Sequence, residues 1–81
     1  MKVYMCKVYD CELGDWVDIG VFSTCAKAME AGSLYIVAAA DEDVELLDWD
    51  HDVNVYTDWY QGKRTSVYTR VVTETEIDRS L

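Results

Sequence analysis

The segment DWDHD, residues 48–52, gathers three aspartates and the chain's single histidine within five positions. Two kinds of chemistry use such a group. Alternating carboxylates can ligate a hard cation such as calcium, and a histidine beside a carboxylate can move protons. A calcium loop counted from Asp48 needs glycine at its sixth position and a carboxylate at its twelfth. This chain has Val53 and Trp59 there, so the match fails. His51 with Asp50 or Asp52 as a general acid–base pair needs a nucleophile or a cleft beside it, and no motif supplies one. GKRT, beginning at Gly62, lacks the glycine spacing of a phosphate loop. Cys6, Cys11 and Cys25 are odd in number and show no C-x-x-C spacing. They read as reduced thiols rather than as a zinc site, a redox pair or a disulfide framework. The expectation is therefore no enzyme, no cofactor and no metal.

What stands out is the display of acid. From Asp41 to Trp59 there are eight acidic residues and no lysine or arginine, in a chain of sixteen acids, seven bases and net charge -9. Such a balance excludes a general nucleic-acid binder, which needs basic surface to displace counterions from phosphates. It equally disfavours anionic membranes. It favours a protein partner with a basic or phosphate-holding surface. In an extended segment, alternate residues stand about 6.7 Å apart on one face. Asp48, Asp50 and Asp52 then form a row with a spacing comparable to successive phosphates of one nucleic-acid strand. Trp49, Tyr56, Trp59 and Tyr60 add rigid aromatic surface, which a groove built for bases and phosphates accepts. The candidate partner-binding residues are Asp41, Glu42, Asp43, Glu45, Asp48, Trp49, Asp50, Asp52 and Asp58. Trp59 is expected in the core; Trp49, flanked by acids, fits either a core or an exposed position. Lys63, Arg64 and Arg70 gather around the last turn and strand. A dipolar domain with an unneutralised acidic face is expected from that distribution.

The elements that must position these residues are legible from periodicity. Eighty-one residues suit one domain, 1–81. Ten aromatic residues supply large buried areas to a small core. KVYMCKVYD alternates as a strand over 2–10, ELGD turns at Gly14, and WVDIGVF returns as a second strand, 16–22. Ser23 or Thr24 caps a helix. Its inward face is Cys25, Ala28, Met29, Gly32, Tyr35, Ile36 and Ala39, at spacings of three and four. The helix should stop near Asp41, because acids suit a helix C-terminus poorly. A break at Gly32 into two shorter helices is the alternative. VNVYTDWY is a strand over 53–60, QGKR a turn, and TSVYTRVVTETEI the last strand, with Val67, Val71 and Ile77 on one parity. Residues 48–52 either extend the third strand or approach it as a loop. The fold class is α+β, ordered β-β-α-β-β, with one helix across one face of an antiparallel sheet. The longest apolar run, 34–40, is too short to cross a membrane, and the N-terminus has no apolar signal core. A cytoplasmic protein is expected.

VYMCKVYD followed by IGVFSTCAKAMEA resembles a pattern of small phage and bacterial proteins of unassigned function. In that pattern a strand ending in Gly-Val-Phe-Ser leads into an alanine-rich helix with Lys-Ala at its start. The resemblance covers Val3 to Ala31 and is structural, so no site residue carries over. In size, acidity and strand–helix–strand order the chain is also similar in type to phage-encoded inhibitors of host defence, the anti-CRISPR and DNA-mimic proteins. That second resemblance implies a viral inhibitor occupying the nucleic-acid groove of a host defence protein. The alternative is a generic interaction or homodimerisation domain whose charge serves solubility.

Overall fold

Alternation in the first nine strand residues sends Cys6, Val8 and Asp10 to one face of the sheet and Met5 and Lys7 to the other. The computed structural model describes residues 1–62 and 66–77. Its elements are β1 (Lys2–Asp10), β2 (Asp15–Phe22), α1 (Cys25–Ala40), β3 (Glu45–Asp52), β4 (Val55–Gln61) and β5 (Val67–Glu76). The five strands form one antiparallel sheet in the order β2-β1-β5-β4-β3. This is the expected α+β class with one strand more than β-β-α-β-β. The addition is β3, because residues 48–52 form a strand and not a loop. The following strand starts at Val55, since Val53 and Asn54 make the turn between β3 and β4.

The helix runs unbroken through Gly32. Thr24 caps it, its side chain accepting from the Lys27 N–H at 3.2 Å. Asp41 ends it in the left-handed region at φ 53, donating its N–H to the Val37 carbonyl at 3.0 Å. Aspartate tolerates that conformation better than most side chains. Ala28, Gly32 and Ile36 are buried, with Cys25, Met29, Tyr35 and Ala39 packed beside them as the spacing predicts. Gly32 is required for close approach. A Cβ there would lie 2.6 Å from Arg70 Cδ and 2.9 Å from Cys6 Sγ.

Two apolar clusters lie under α1. One joins Cys6, Ala28 and Val72, the other Val8, Ile36 and Tyr68. The helix rests on β1, β2 and β5 and does not reach β3 or β4. Among the described residues one whole face of the sheet is uncovered, and β3 and β4 project beyond the helix on the other. The molecule is correspondingly long, 48 × 21 × 20 Å.

On β5 Tyr68, Arg70 and Val72 lie under the helix, while Val67 and Val71 share the opposite parity on the uncovered face and Ile77 is exposed. Two expectations are corrected here. Trp59 shares that uncovered face across from Thr69 and belongs to neither core cluster. Arg70 is not part of a basic end: it is buried. Lys63 and Arg64 lie outside the described residues.

Tyr68 sits 1 % exposed. Burial, followed by the nearby Glu12, Cys11 and Asp10, pushes its phenol up to about 12. The folded state then holds its proton where an unfolded tyrosine, titrating near 10, gives it up. The stability this provides is complete below pH 10 and is lost as pH rises toward 12. Phenolate absorbance should show a tyrosine titrating late, and Tyr68→Phe should abolish that component. A Tyr68→Phe titration curve identical to the parent's would refute the assignment.

Candidate functional site: an acidic edge strand

The turn at Val53–Asn54 folds β3 back on β4, pairing Asp52 with Val55, Asp50 with Thr57 and Asp48 with Trp59. Period-two alternation then places Asp48, Asp50 and Asp52 on the uncovered face of the sheet, with Trp49 and His51 on the helix side. All eight residues of β3 are exposed. Trp49, whose position the sequence left open, is 67 % exposed because α1 ends its coverage at β5. His51 stacks flat on Tyr56, centroids 3.9 Å apart and planes 8° from parallel.

The carboxylates of the row act locally. Asp48 Oδ1 accepts from the Trp49 N–H and Asp52 Oδ1 from the Val53 N–H, each at 2.8 Å. Among the described residues, no ion pair involves Asp48, Asp50 or Asp52. No group of three or more His, Cys, Asp or Glu side chains there is placed to hold a metal ion. The row continues across the sheet as a line of neighbours. Asp48 faces Trp59, then Thr69, Tyr9 and Trp16 follow strand by strand. Tyr9 and Trp16 meet edge to face at 5.4 Å, and the Lys7 ammonium lies 4.5 Å above the Trp16 ring. This face thus accommodates a cation on an aromatic surface already.

Not all the predicted acids belong to this row. Asp41 and Glu42 line a cavity of about 340 Å³ at the C-terminal end of α1, with Glu12, Ala39, Ala40, Ser66 and Tyr68. Glu42 is half-buried, and its Oε1 lies 2.8 Å from where a Cβ on Gly62 would stand. Asp43 is exposed in the connection to β3, and Glu45 opens β3 opposite Gln61. The acidic segment is therefore divided between the end of the helix and the edge of the sheet.

Asp58 is a correction. It is buried, 7 % exposed, and turned to the helix-facing side of the sheet opposite Arg70. Its carboxylate takes both arms of the guanidinium, Arg70 Nε donating to Oδ1 at 2.9 Å and Nη2 donating to Oδ2. Nη2 also donates to Tyr60 Oη at 2.8 Å, and Tyr60 donates to Asp58 Oδ2 at 3.0 Å. Nη1 donates to the Met29 carbonyl at 2.7 Å and to Ser33 Oγ. Burial pushes the Tyr60 phenol up, against the lowering effect of Arg70. Asp58 is thus neutralised inside the protein and leaves the partner-binding set. The signal that could have found it is parity, since Asp58 shares alternation with Tyr56 and Tyr60, both packed toward the core.

Sequence reasoning also missed a groove of about 380 Å³ on the uncovered face, lined by Met5, Lys7, Asp18, Gly20, Val21 and Thr73 among others. A bulge in β2 between the partners of Cys6 and Lys7 shapes it, with Gly20 at φ 153. The thiols are free: Cys6 is buried and pushed up by that burial, while Cys11 and Cys25 are half-buried. No helix among the described residues is long and apolar enough to cross a membrane. Comparison with protein-family models, with curated proteins and with solved structures found no match to this chain.

Proposed function

We propose that this domain is an acidic protein-binding module that occupies a basic, nucleic-acid-binding groove of its partner, in the manner of a phage inhibitor of host defence. One observation carries the reading. Asp48, Asp50 and Asp52 stand in a row on one face of a wholly exposed edge strand. Regular strand geometry spaces them at about 6.7 Å, and no lysine or arginine neighbours them in sequence. Trp59 beside Asp48 offers a flat surface where such a groove expects a base. The domain works by occupancy and not by catalysis, with the acids steering association.

The test is binding to a basic-groove partner, identified by capture from nuclease-treated bacterial lysate and then purified. Salt screens exposed charge over about 8 Å at physiological ionic strength, so affinity should fall about tenfold or more with added salt, chiefly through slower association. The partner's nucleic acid should compete. Changing Asp48, Asp50 and Asp52 together to asparagine removes three charges, keeps side-chain shape and should weaken binding at least tenfold while leaving thermal unfolding unchanged or improved. Lys63→Gln with Arg64→Gln should matter little. If the asparagine variant binds as tightly as the parent, or nucleic acid and domain bind the partner together, the mimic reading fails.

A further inference from the structure

The backbone of β3 offers a second, more specific chemistry. The Glu74 N–H donates to the Asn54 carbonyl at 2.8 Å. That bond makes Val55 and Thr73 a non-hydrogen-bonded pair, so Val55 turns its own N–H and C=O away from β5 and toward β3. Val55 faces Asp52, and alternation along the ladder makes Asp52–Val55 and Asp50–Thr57 the hydrogen-bonded pairs. His51 falls between them and Trp49 at the next alternate position beyond Asp50, so both present their N–H and C=O groups outward. The close His51–Tyr56 stack agrees, since side chains of a non-hydrogen-bonded pair approach most closely. Among the described residues, β3 pairs with β4 alone.

We propose that the outer edge of β3, at Trp49 and His51, takes up an extended segment of a partner protein as an added strand, and that this segment alternates basic and apolar residues. The proposal deepens the partner-binding reading and rests on it. Charge decides the occupant. A second copy is disfavoured, because antiparallel pairing of β3 with itself sets aspartate against aspartate on one face, and like charges directly opposite are destabilising. The same charges fit lysine or arginine. An added strand hydrogen-bonded at Trp49 and His51 has its intervening residue opposite Asp50 in the close pair geometry, with Asp48 and Asp52 diagonal to it. On the other face, Leu46 and Trp49 are exposed beyond the reach of α1 and offer an apolar shelf to the alternate residues. In the free domain the Trp49 N–H is held by Asp48. A partner carbonyl takes over that N–H and releases the Asp48 carboxylate to the partner's base. Main-chain hydrogen bonds supply affinity in such strand addition, and alternate side chains supply specificity.

The probe is an acetylated, amidated peptide of about eight residues alternating lysine and valine, titrated into the intact domain by calorimetry and amide NMR. Two controls carry the same charge: one is N-methylated at the backbone nitrogens that would face β3, the other has its lysines in one block. The parent peptide is expected to bind, to shift and protect the amides of Trp49 and His51, and to lose at least tenfold in affinity on N-methylation. Binding of the N-methylated or blocked peptide within twofold of the parent overturns strand addition while leaving an acidic binding surface intact. Absence of binding by any of the peptides overturns it too, and the competition assay with the basic-groove partner then decides the broader reading separately. Sedimentation showing the domain already dimeric, with Trp49 and His51 amides protected, gives the edge to a second copy and also overturns the proposal.

Discussion

Arg70→Ala should cost about 3–5 kcal/mol of folding stability, the usual consequence of stripping one partner from a buried ion pair. The loss is large for a domain whose total is expected at about 5–15 kcal/mol. The reason is the uncompensated group left behind. Without the guanidinium, the buried Asp58 carboxylate keeps, among the described residues, only the Tyr60 hydroxyl. Met29 and Ser33 also lose the donor that ties α1 to β5. Asp58→Leu should be comparably damaging, because it strands a buried cation. Joining it with Arg70→Ala should be less damaging than the two singles added together, since neither charge is then unpaired. Urea denaturation of the four proteins measures this cycle. Single variants costing less than about 1 kcal/mol, typical of exposed pairs, would refute the structural role.

Gly32→Ala is the second large effect, and its sign opposes helix propensity. Alanine is favoured over glycine inside a helix by about 1 kcal/mol, and in a helix free of contacts the change would stabilise. Here the new methyl would press on Arg70 Cδ at 2.6 Å and on Cys6 Sγ at 2.9 Å. Neither neighbour can yield cheaply. Arg70 is held at its far end by five hydrogen bonds to Asp58, Tyr60, Met29 and Ser33, and Cys6 is buried between α1 and Val72. Overpacking of this kind costs about 1–3 kcal/mol. A lower denaturation midpoint is expected, with Gly32→Val lower still. A midpoint raised by alanine would show that the helix stands farther from the sheet.

The two variants probe one device. Arg70 of a buried charged pair lies under the helix, the glycine lets the helix come down onto it, and the helix backbone accepts one of its hydrogen bonds. The consequence for function lies in placement. Clamping α1 over β1, β2 and β5 leaves the β3–β4 hairpin projecting beyond it, with both faces of β3 available.

Much of this architecture was written in local sequence. The strand at 2–10, the turn at Gly14, the Thr24 cap, the inward helical face and the stop at Asp41 each depend on neighbours within a few residues, through alternation, positive φ, capping and three-four spacing. The acid row was equally legible, because period two alone puts Asp48, Asp50 and Asp52 together once the segment is extended. What sequence could not decide was everything set by partners distant along the chain. Residues 48–52 become a strand only because β4 is there to pair with them. Asp58 and Trp49 both sit among acids and aromatics, yet one is buried and the other exposed. The difference is how far a 16-residue helix reaches across five strands, and where Arg70, twelve residues past Asp58, returns in the neighbouring strand. Parity assigns a residue to a face; only the tertiary structure decides which face, and how much of it, the helix covers.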